Sequence, residues 1–218
     1  PQHRRGSLDS STSGSRARGT RVGYNWPLIA EHAATESVLW QLHQLDSKAL
    51  LLWLPPLPSI AGMQYALMSL KWRHPPARWF SPVDLSRLPR WSTQRLGNRY
   101  LLSACRWLGH RLPAPEFIDF DAAGTVAQSV VRHAPCVLRT YASSAVRVAR
   151  AAIDRGLRLD GCTMLSGGEP LLDSRRAVIE ASGANVFSRY SATEAGLIGA
   201  SCPYRDTTDE MHIYQDRV

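Results

Sequence analysis

Lysine is almost missing from this sequence. Of 26 basic side chains only Lys48 and Lys71 are lysines, so the formal charge of +8 and the isoelectric point near 9.8 are carried by arginine. The arginines are scattered rather than gathered on one stripe, and no aromatic-plus-basic motif accompanies them. A nucleic-acid-binding surface concentrates its positive charge, so the pattern speaks for an arginine-rich composition and against nucleic acid as a partner. Cysteine is sparse as well. Cys105, Cys136, Cys162 and Cys202 lie far apart with no C-x-x-C pair, which argues against a disulfide framework and a zinc ribbon and makes a reducing cytoplasm the expected setting. No basic-then-apolar leader opens the chain, which starts at Pro1 without methionine, so a fragment of a longer protein is expected. The one long uncharged run, between Lys48 and Lys71, contains Pro55, Pro56 and Pro58. Proline removes a donor and clashes with the preceding helical turn, so a strand, a turn and a helix fit this run and a membrane span does not.

What is present is a chain of 218 residues, 44% apolar, enough to bury a core in one large domain. Residues 1–25 read as a serine-rich segment and residues 26–218 as an α/β domain. Apolar residues recur at helical spacing from Trp26 to Leu45, with Leu28, Ile29, Ala33, Val38, Leu39, Leu42 and Leu45 on one face. Ala49–Leu54 reads as a buried strand and Gly62–Leu70 as a helix. The stretch from Arg78 to Arg95 reads mostly as loop. A helix is expected from Ser92 to about Arg111, a strand at Phe117–Phe120, a helix over Ala122–His133 and a strand at Cys136–Thr140. Ser143 and Ser144 are placed to cap a helix reaching Arg155. A strand at Cys162–Leu165, a helix at Leu171–Ala181 and a strand at Asn185–Arg189 complete the alternation. The expected class is therefore α/β, a mainly parallel, doubly wound sheet with helices on both faces. Such sheets bind ligands at the carboxyl ends of their strands, which directs attention to the segments after Leu165 and Arg189.

Three segments carry candidate chemistry. The first, Ser10 to Gly19, is rich in hydroxyls and small residues; its backbone N–H groups and Arg16 and Arg18 suit a phosphate cradle, and a polar tail is the alternative. In the second, Ser166-Gly167-Gly168-Glu169-Pro170 follows a strand and precedes a helix. Two glycines allow close backbone approach to a ring or sugar, and Glu169 can accept hydrogen bonds from a base or ribose. An ordinary tight turn with Glu169 in a first helical turn is the alternative. The third, Tyr190-Ser191-Ala192-Thr193-Glu194, joins an aromatic face for adenine, a hydroxyl for an α-phosphate and a carboxylate for magnesium. A simple helix start at Thr193-Glu194 is its alternative. Cys202 and His212 are zinc-ligand types, but two residues do not make a site and a structural role is expected. The seven tryptophans, Trp40, Trp53, Trp72 and Trp107 among them, can line an aryl-acid pocket or simply fill the core.

A serine-rich loop, then G-G-E, then Y-x-x-T-E resembles the adenylate-forming superfamily of acyl-CoA ligases, luciferases and peptide-synthetase adenylation domains. Within it, the chain is most similar to the phenylacetate-CoA ligase group. Leu138–Ser144 (LRTYASS) resembles the strand and helix start before G-G-E there, and Cys202 with Met211–Asp216 resembles the stretch after Y-x-x-T-E. The pair G-G-E with Y-x-x-T-E about 20 residues later is fairly specific; the first loop is not. It keeps Thr12-Ser13-Gly14-Ser15, and then Arg16, Ala17 and Gly19 stand where threonine, glycine and proline are usual.

The resemblance implies the large N-terminal domain of such an enzyme, incomplete, without the mobile C-terminal domain. Its ribose-binding aspartate motif, hinge and catalytic lysine would fall beyond Val218, so the fragment alone is expected to be inactive. Thr12, Ser13, Gly14, Ser15, Gly167, Gly168, Glu169, Tyr190, Ser191 and Thr193 would bind nucleotide. Thr193 and Glu194 would be catalytic, with Glu194 on the metal. The implied activity joins ATP to a small carboxylic acid, with an aryl acid among the candidates, and passes the acyl group to coenzyme A, with Mg2+ as cofactor. Because the first loop departs from the usual form, a non-catalytic relative that binds a nucleotide or acyl-adenylate is the alternative.

Overall fold

The computed structural model describes residues 8–11, 21–192, 195–204 and 210–215. A short antiparallel hairpin comes first, pairing β1 (Leu8–Ser11) with β2 (Arg21–Tyr24). Tyr24 at its end is buried against the core, edge-on to His32.

Helix α1 (Trp26–Leu42) starts where Asn25 accepts the Leu28 N–H at 2.9 Å, with proline in the first turn, so the orphan donors of the helix start are met locally. Strand β3 (Ala49–Trp53) and helix α2 (Ile60–Lys71) follow as the uncharged run predicts. The remaining elements alternate: β4 (Arg78–Ser81), α3 (Thr93–Trp107), β5 (Glu116–Phe117), α4 (Ala123–His133), β6 (Cys136–Thr140), α5 (Ala142–Ile153), β7 (Cys162–Gly167), α6 (Asp173–Ala181) and β8 (Asn185–Ala192). Two more strands, β9 (Gly196–Ser201) and β10 (Met211–Ile213), close the described order.

The eight-stranded sheet runs β10-β9-β8-β7-β6-β3-β4-β5. All pairings from β5 through β8 are parallel, and β9 and β10 add antiparallel strands at one edge. Helices cover both faces. On β3, Leu50 and Leu52 face α1 and α2, while Leu51 and Trp53 face α4 and α5. A parallel strand buried on both sides needs this unbroken apolar run rather than alternation. The doubly wound α/β expectation is met. The chain leaves β3 toward β4 and β5 on one side and, after α4, returns to β6, β7 and β8 on the other. The switch point therefore lies between β3 and β6, where Thr140 Oγ1 donates to the Trp53 carbonyl at 3.0 Å.

Three local expectations need correction. The stretch from Arg78 to Arg95 is not mostly loop, because it contains β4, paired on both sides by β3 and β5. Its four residues, Arg-Trp-Phe-Ser, are too short to show periodicity, and its leading arginine looks exposed in sequence; in the fold Arg78 pairs with Glu116 at the strand mouth. Ser143 and Ser144 do not cap α5 through their side chains: the cap position is Tyr141, Ser144 is buried, and Ser143 faces the turn after β7. Strand β8 reaches Ala192, so Tyr190 and Ser191 lie on the strand rather than after it, beside an irregularity in the pairing with β9.

No described helix is long and apolar enough to cross a membrane. The four cysteines are buried free thiols. Cys202 takes the Tyr204 N–H on its sulfur and His212 is an exposed residue of β10, so the structural role expected for Cys202 stands.

Candidate active site: two cavities with a shared wall

The carboxyl ends of β6, β7 and β8 converge on one crevice. After β7, Gly168 takes φ +78°, a left-handed conformation that costs a side-chain-bearing residue about 1–2 kcal/mol. A Cβ there would also stand 2.9 Å from the Tyr141 ring. Gly167, the last residue of β7, has a different reason: a Cβ would meet Arg189 Cγ at 2.7 Å and Arg139 Nη2 at 3.2 Å. The two glycines thus let the chain turn outward over a pair of arginines.

Beyond the turn lies a cavity of about 500 Å³, lined by Gly168, Glu169, Pro170, Leu171, Leu172, Asp173, Ser188, Arg189, Tyr190, Ser191 and Met211. Four of the expected nucleotide residues, Gly168, Glu169, Tyr190 and Ser191, meet here although α6 and the first part of β8 separate them in sequence. Gly167 lies beneath the cavity in β7 and does not line it. Tyr190 is 57% exposed, its ring free to receive a flat ligand. Glu169 is more committed than its sequence suggests. Its carboxylate accepts the Ser143 N–H and the Ser143 hydroxyl, both at 2.9 Å, and the Arg175 guanidinium at 3.2 Å, so it caps α5 from the neighbouring strand's turn. Thr12, Ser13, Gly14 and Ser15, and likewise Thr193 and Glu194, lie outside the described residues. The strands β1 and β2 bracket the first group, and β8 and β9 bracket the second.

A second, inner cavity of about 190 Å³ opens on the α1 and α2 side of the sheet. Gly168, Arg189 and Ser191 line both cavities and form the wall between them. The inner cavity was not read from sequence. Ile60, Met68 and Leu197 supply apolar surface, while His32, Glu36, Gln64, Tyr65, Arg139 and Arg189 supply polar groups. Glu36 and Arg189 form a buried ion pair. The Tyr65 hydroxyl donates to Glu36 Oε1 at 3.1 Å and accepts from Trp40 Nε1 at 3.1 Å. Burial, reinforced by Glu36, pushes the Tyr65 phenol well above its ordinary value, and burial raises Tyr141 too. Arg139 donates to the carbonyls of Thr140 and Leu165, at 2.7 and 3.1 Å, and its guanidinium lies 5.4 Å from the centre of the Tyr65 ring. Burial and the like charge of Arg189 pull it down to about 10, which leaves it a cation at neutral pH. A sequence signal existed: Arg139 stands in the middle of a strand, Cys136–Thr140, that is otherwise wholly buried and uncharged.

None of the seven tryptophans lines either cavity. Trp40, Trp53 and Trp79 are core residues and Trp107 is 87% exposed, so the aryl-acid role considered for them is not met. Among the described residues no group of three or more metal-ligand side chains occurs. Magnesium that rides on substrate phosphates needs only one or two protein carboxylates, so a nucleotide-borne metal does not require such a group.

An open α/β sheet with a composite crevice at its carboxyl edge is thus the class that the fold and the site define. Solved structures make this more specific: the fold is that of adenylate-forming CoA ligases. A 2-hydroxyisobutyryl-CoA ligase, in complex with 2-HIB-AMP and CoA, superposes with a TM-score of 0.58 at 15% identity, over 95% of this chain and 38% of that one. An anthranilate CoA ligase in complex with anthranoyl-AMP gives a TM-score of 0.60 at 10% identity, over 91% and 32%. The o-succinylbenzoate CoA synthetase of Bacillus subtilis gives 0.54 at 14% identity, over 89% and 31%. The chain therefore spans about a third of the length of these proteins. No protein-family model matches the sequence, and no curated protein matches it.

Proposed function

We propose that the chain is the nucleotide- and acid-binding part of a carboxylate-CoA ligase that forms an acyl-adenylate and pyrophosphate from ATP and an acid, then transfers the acyl group to coenzyme A. The observation that carries this reading is the shared wall. A reaction between a carboxylate and an α-phosphate needs the two ligands in separate pockets that meet at one point, and Gly168, Arg189 and Ser191 line both cavities. The outer cavity suits the nucleotide, with Tyr190 against adenine, backbone from Gly168, and Glu169 and Ser191 at the sugar, while Gly167 serves from beneath by leaving room for Arg189 and Arg139. The inner cavity suits a small carboxylic acid. Thr193 would hydrogen-bond the α-phosphate, Thr12, Ser13, Gly14 and Ser15 would hold the outer phosphates, and Glu194 would carry Mg2+, which offsets phosphate charge when bound. Complete turnover belongs to the whole protein, whose setting we take to be cytoplasmic. The likeness of Leu138–Ser144 and Met211–Asp216 to the phenylacetate-CoA ligase group supports that subgroup without naming the acid.

A second reading, a relative that binds nucleotide or acyl-adenylate without turnover, is favoured by one specific feature: Arg16 and Ala17 replace the usual threonine and glycine of the first loop. Calorimetric titration with AMP and with Mg-ATP, at two salt concentrations, tests the common core of both. Saturable binding that survives salt, weakens in Tyr190→Ala and, for Mg-ATP, weakens in Glu194→Ala is expected. Affinity that collapses with salt and ignores both substitutions would instead mark nonspecific attraction to a basic chain and end the ligase reading. Glu194→Ala that keeps full adenylate formation in the whole protein would remove Glu194 from the metal role.

A further inference from the structure

We propose that Arg139 and Arg189 together hold the reacting carboxylate of the acid, as one clamp for a single anion at the seam between the two cavities. This inference rests on the reading of the inner cavity as the acid pocket, and it names the residues that fix the acid there.

The two guanidinium groups lie together. Arg139 belongs to β6 and Arg189 to β8, the two neighbours of β7, whose last residue is Gly167. A Cβ on Gly167 would stand 2.7 Å from Arg189 Cγ and 3.2 Å from Arg139 Nη2, so both side chains pass over the same glycine. Both guanidinium carbons also lie over the Tyr65 ring, 5.4 and 5.9 Å from its centre. Both residues are buried, and both line the inner cavity.

These two cations share one carboxylate. Glu36 pairs with Arg189, and Arg139 has no acidic partner among the described residues. A buried ion is costly unless it is paired, and the two main-chain carbonyls that Arg139 Nη1 reaches compensate less than an anion does. Donors are left over as well. Arg139 Nη2 and Arg189 Nη1 make no hydrogen bond among the described residues and, unlike the two Nε atoms, are not sealed from open space. The described seam is thus one negative charge short.

A single carboxylate restores the balance, because its two oxygens accept from guanidinium N–H groups in matching planar geometry. Activation keeps that balance. One carboxylate oxygen bonds to the α-phosphorus as the bond to pyrophosphate breaks, and the acyl-adenylate retains one negative charge on its phosphate. The same pair of cations therefore serves reactant and product, while Ile60, Met68 and Leu197 give the rest of the acid an apolar surround.

The test compares butyrate with butyramide and benzoate with benzamide, pairs that keep their shape and differ in charge. Each is titrated into the full chain by ligand-observed NMR at about 0.15 M salt, where long-range attraction to the surface charge is screened. Each acid is expected to bind about tenfold tighter than its amide or more, the size of a hydrogen-bonded charge contact. In Arg139→Gln, which leaves Arg189 and Glu36 balanced, the ratio should fall to near one in both pairs, and in Arg139→Lys part of it should return. A purely structural role for Arg139 would weaken acid and amide alike and leave the ratio unchanged. Amides that bind as tightly as the acids overturn the proposal, as does the absence of saturable binding by either acid, and the wild-type chain decides both even if the variants do not fold. A ratio that survives in folded Arg139→Gln overturns it as well. AMP titration of the same samples separates the two readings. AMP binding without an acid preference defeats this inference alone, whereas an acid preference that needs Arg139, in a chain that binds no nucleotide, defeats the ligase reading alone.

Discussion

Glu169 and Ser143 are joined twice, the carboxylate of one accepting both the main-chain N–H and the hydroxyl of the other at 2.9 Å. This couples the turn after β7 to the start of α5, two segments that the sequence sets apart. It also defines what Glu169 has left to give. A carboxylate offers about four acceptor positions, and Ser143 with Arg175 fills three of them. Glu169→Ala is therefore expected to lower stability by about 1 kcal/mol, as the loss of a helix cap does, and to weaken AMP binding as well. Ser143→Ala should cost less and leave AMP affinity in place. Urea midpoints and AMP titrations of the two variants check this, and AMP affinity unchanged in Glu169→Ala would confine Glu169 to its capping role.

The Glu36–Arg189 pair spans 153 residues of sequence and links α1 to β8 beneath the inner cavity. Glu36 is fully buried, so removing it strands Arg189 beside Arg139 with no carboxylate at hand. Breaking such a pair from one side costs about 3–5 kcal/mol, whereas replacing both partners with apolar side chains of similar size is often neutral. Glu36→Leu is thus expected to be strongly destabilised, and Glu36→Leu with Arg189→Met less so than the single change. Chemical denaturation of the two singles and the double gives the coupling directly. A double variant whose loss equals the sum of the singles would show that the pair does not act as a unit.

Much of the fold was legible because its strands are buried on both faces. Ala49 to Leu54 is a short apolar run, and Cys136 to Thr140 is one broken only by Arg139 before its last residue; the structure places both at the centre of the sheet. Strand β4 was missed because its burial depends on neighbours remote in sequence: Trp79 and Phe80 are apolar, but nothing local separates Arg-Trp-Phe-Ser from a loop. The outer cavity was legible for a similar reason, since Gly168-Glu169 and Tyr190-Ser191 each follow a readable strand. The inner cavity was not. Glu36 and Tyr65 sit within helices α1 and α2, where a carboxylate or phenol ordinarily faces water, and only the packing of these helices against each other and onto one face of the sheet turns them inward.

Tyr65 supplies a pH signature for that inner network. Its phenol is raised well above the ordinary value by burial and by Glu36, and the unfolded chain ionises its tyrosines near pH 10. The folded state therefore holds the Tyr65 proton where the unfolded state has released it. Stability from this source is fully present below about pH 10 and is lost as pH rises above that value, by up to about 1.4 kcal/mol per pH unit for one group. Tyr141, raised in the same direction, adds to the loss. Tyr65→Phe gives up the hydrogen bonds to Glu36 and Trp40, so it should start about 1–3 kcal/mol less stable at neutral pH. Its alkaline decline should nevertheless be shallower, with the part due to Tyr141 remaining. Urea midpoints of both proteins, taken from about pH 8 to pH 11, give the two slopes. Equal slopes would mean that the Tyr65 phenol ionises in the folded protein as readily as in water, and that the floor of the inner cavity is wetter than its packing indicates.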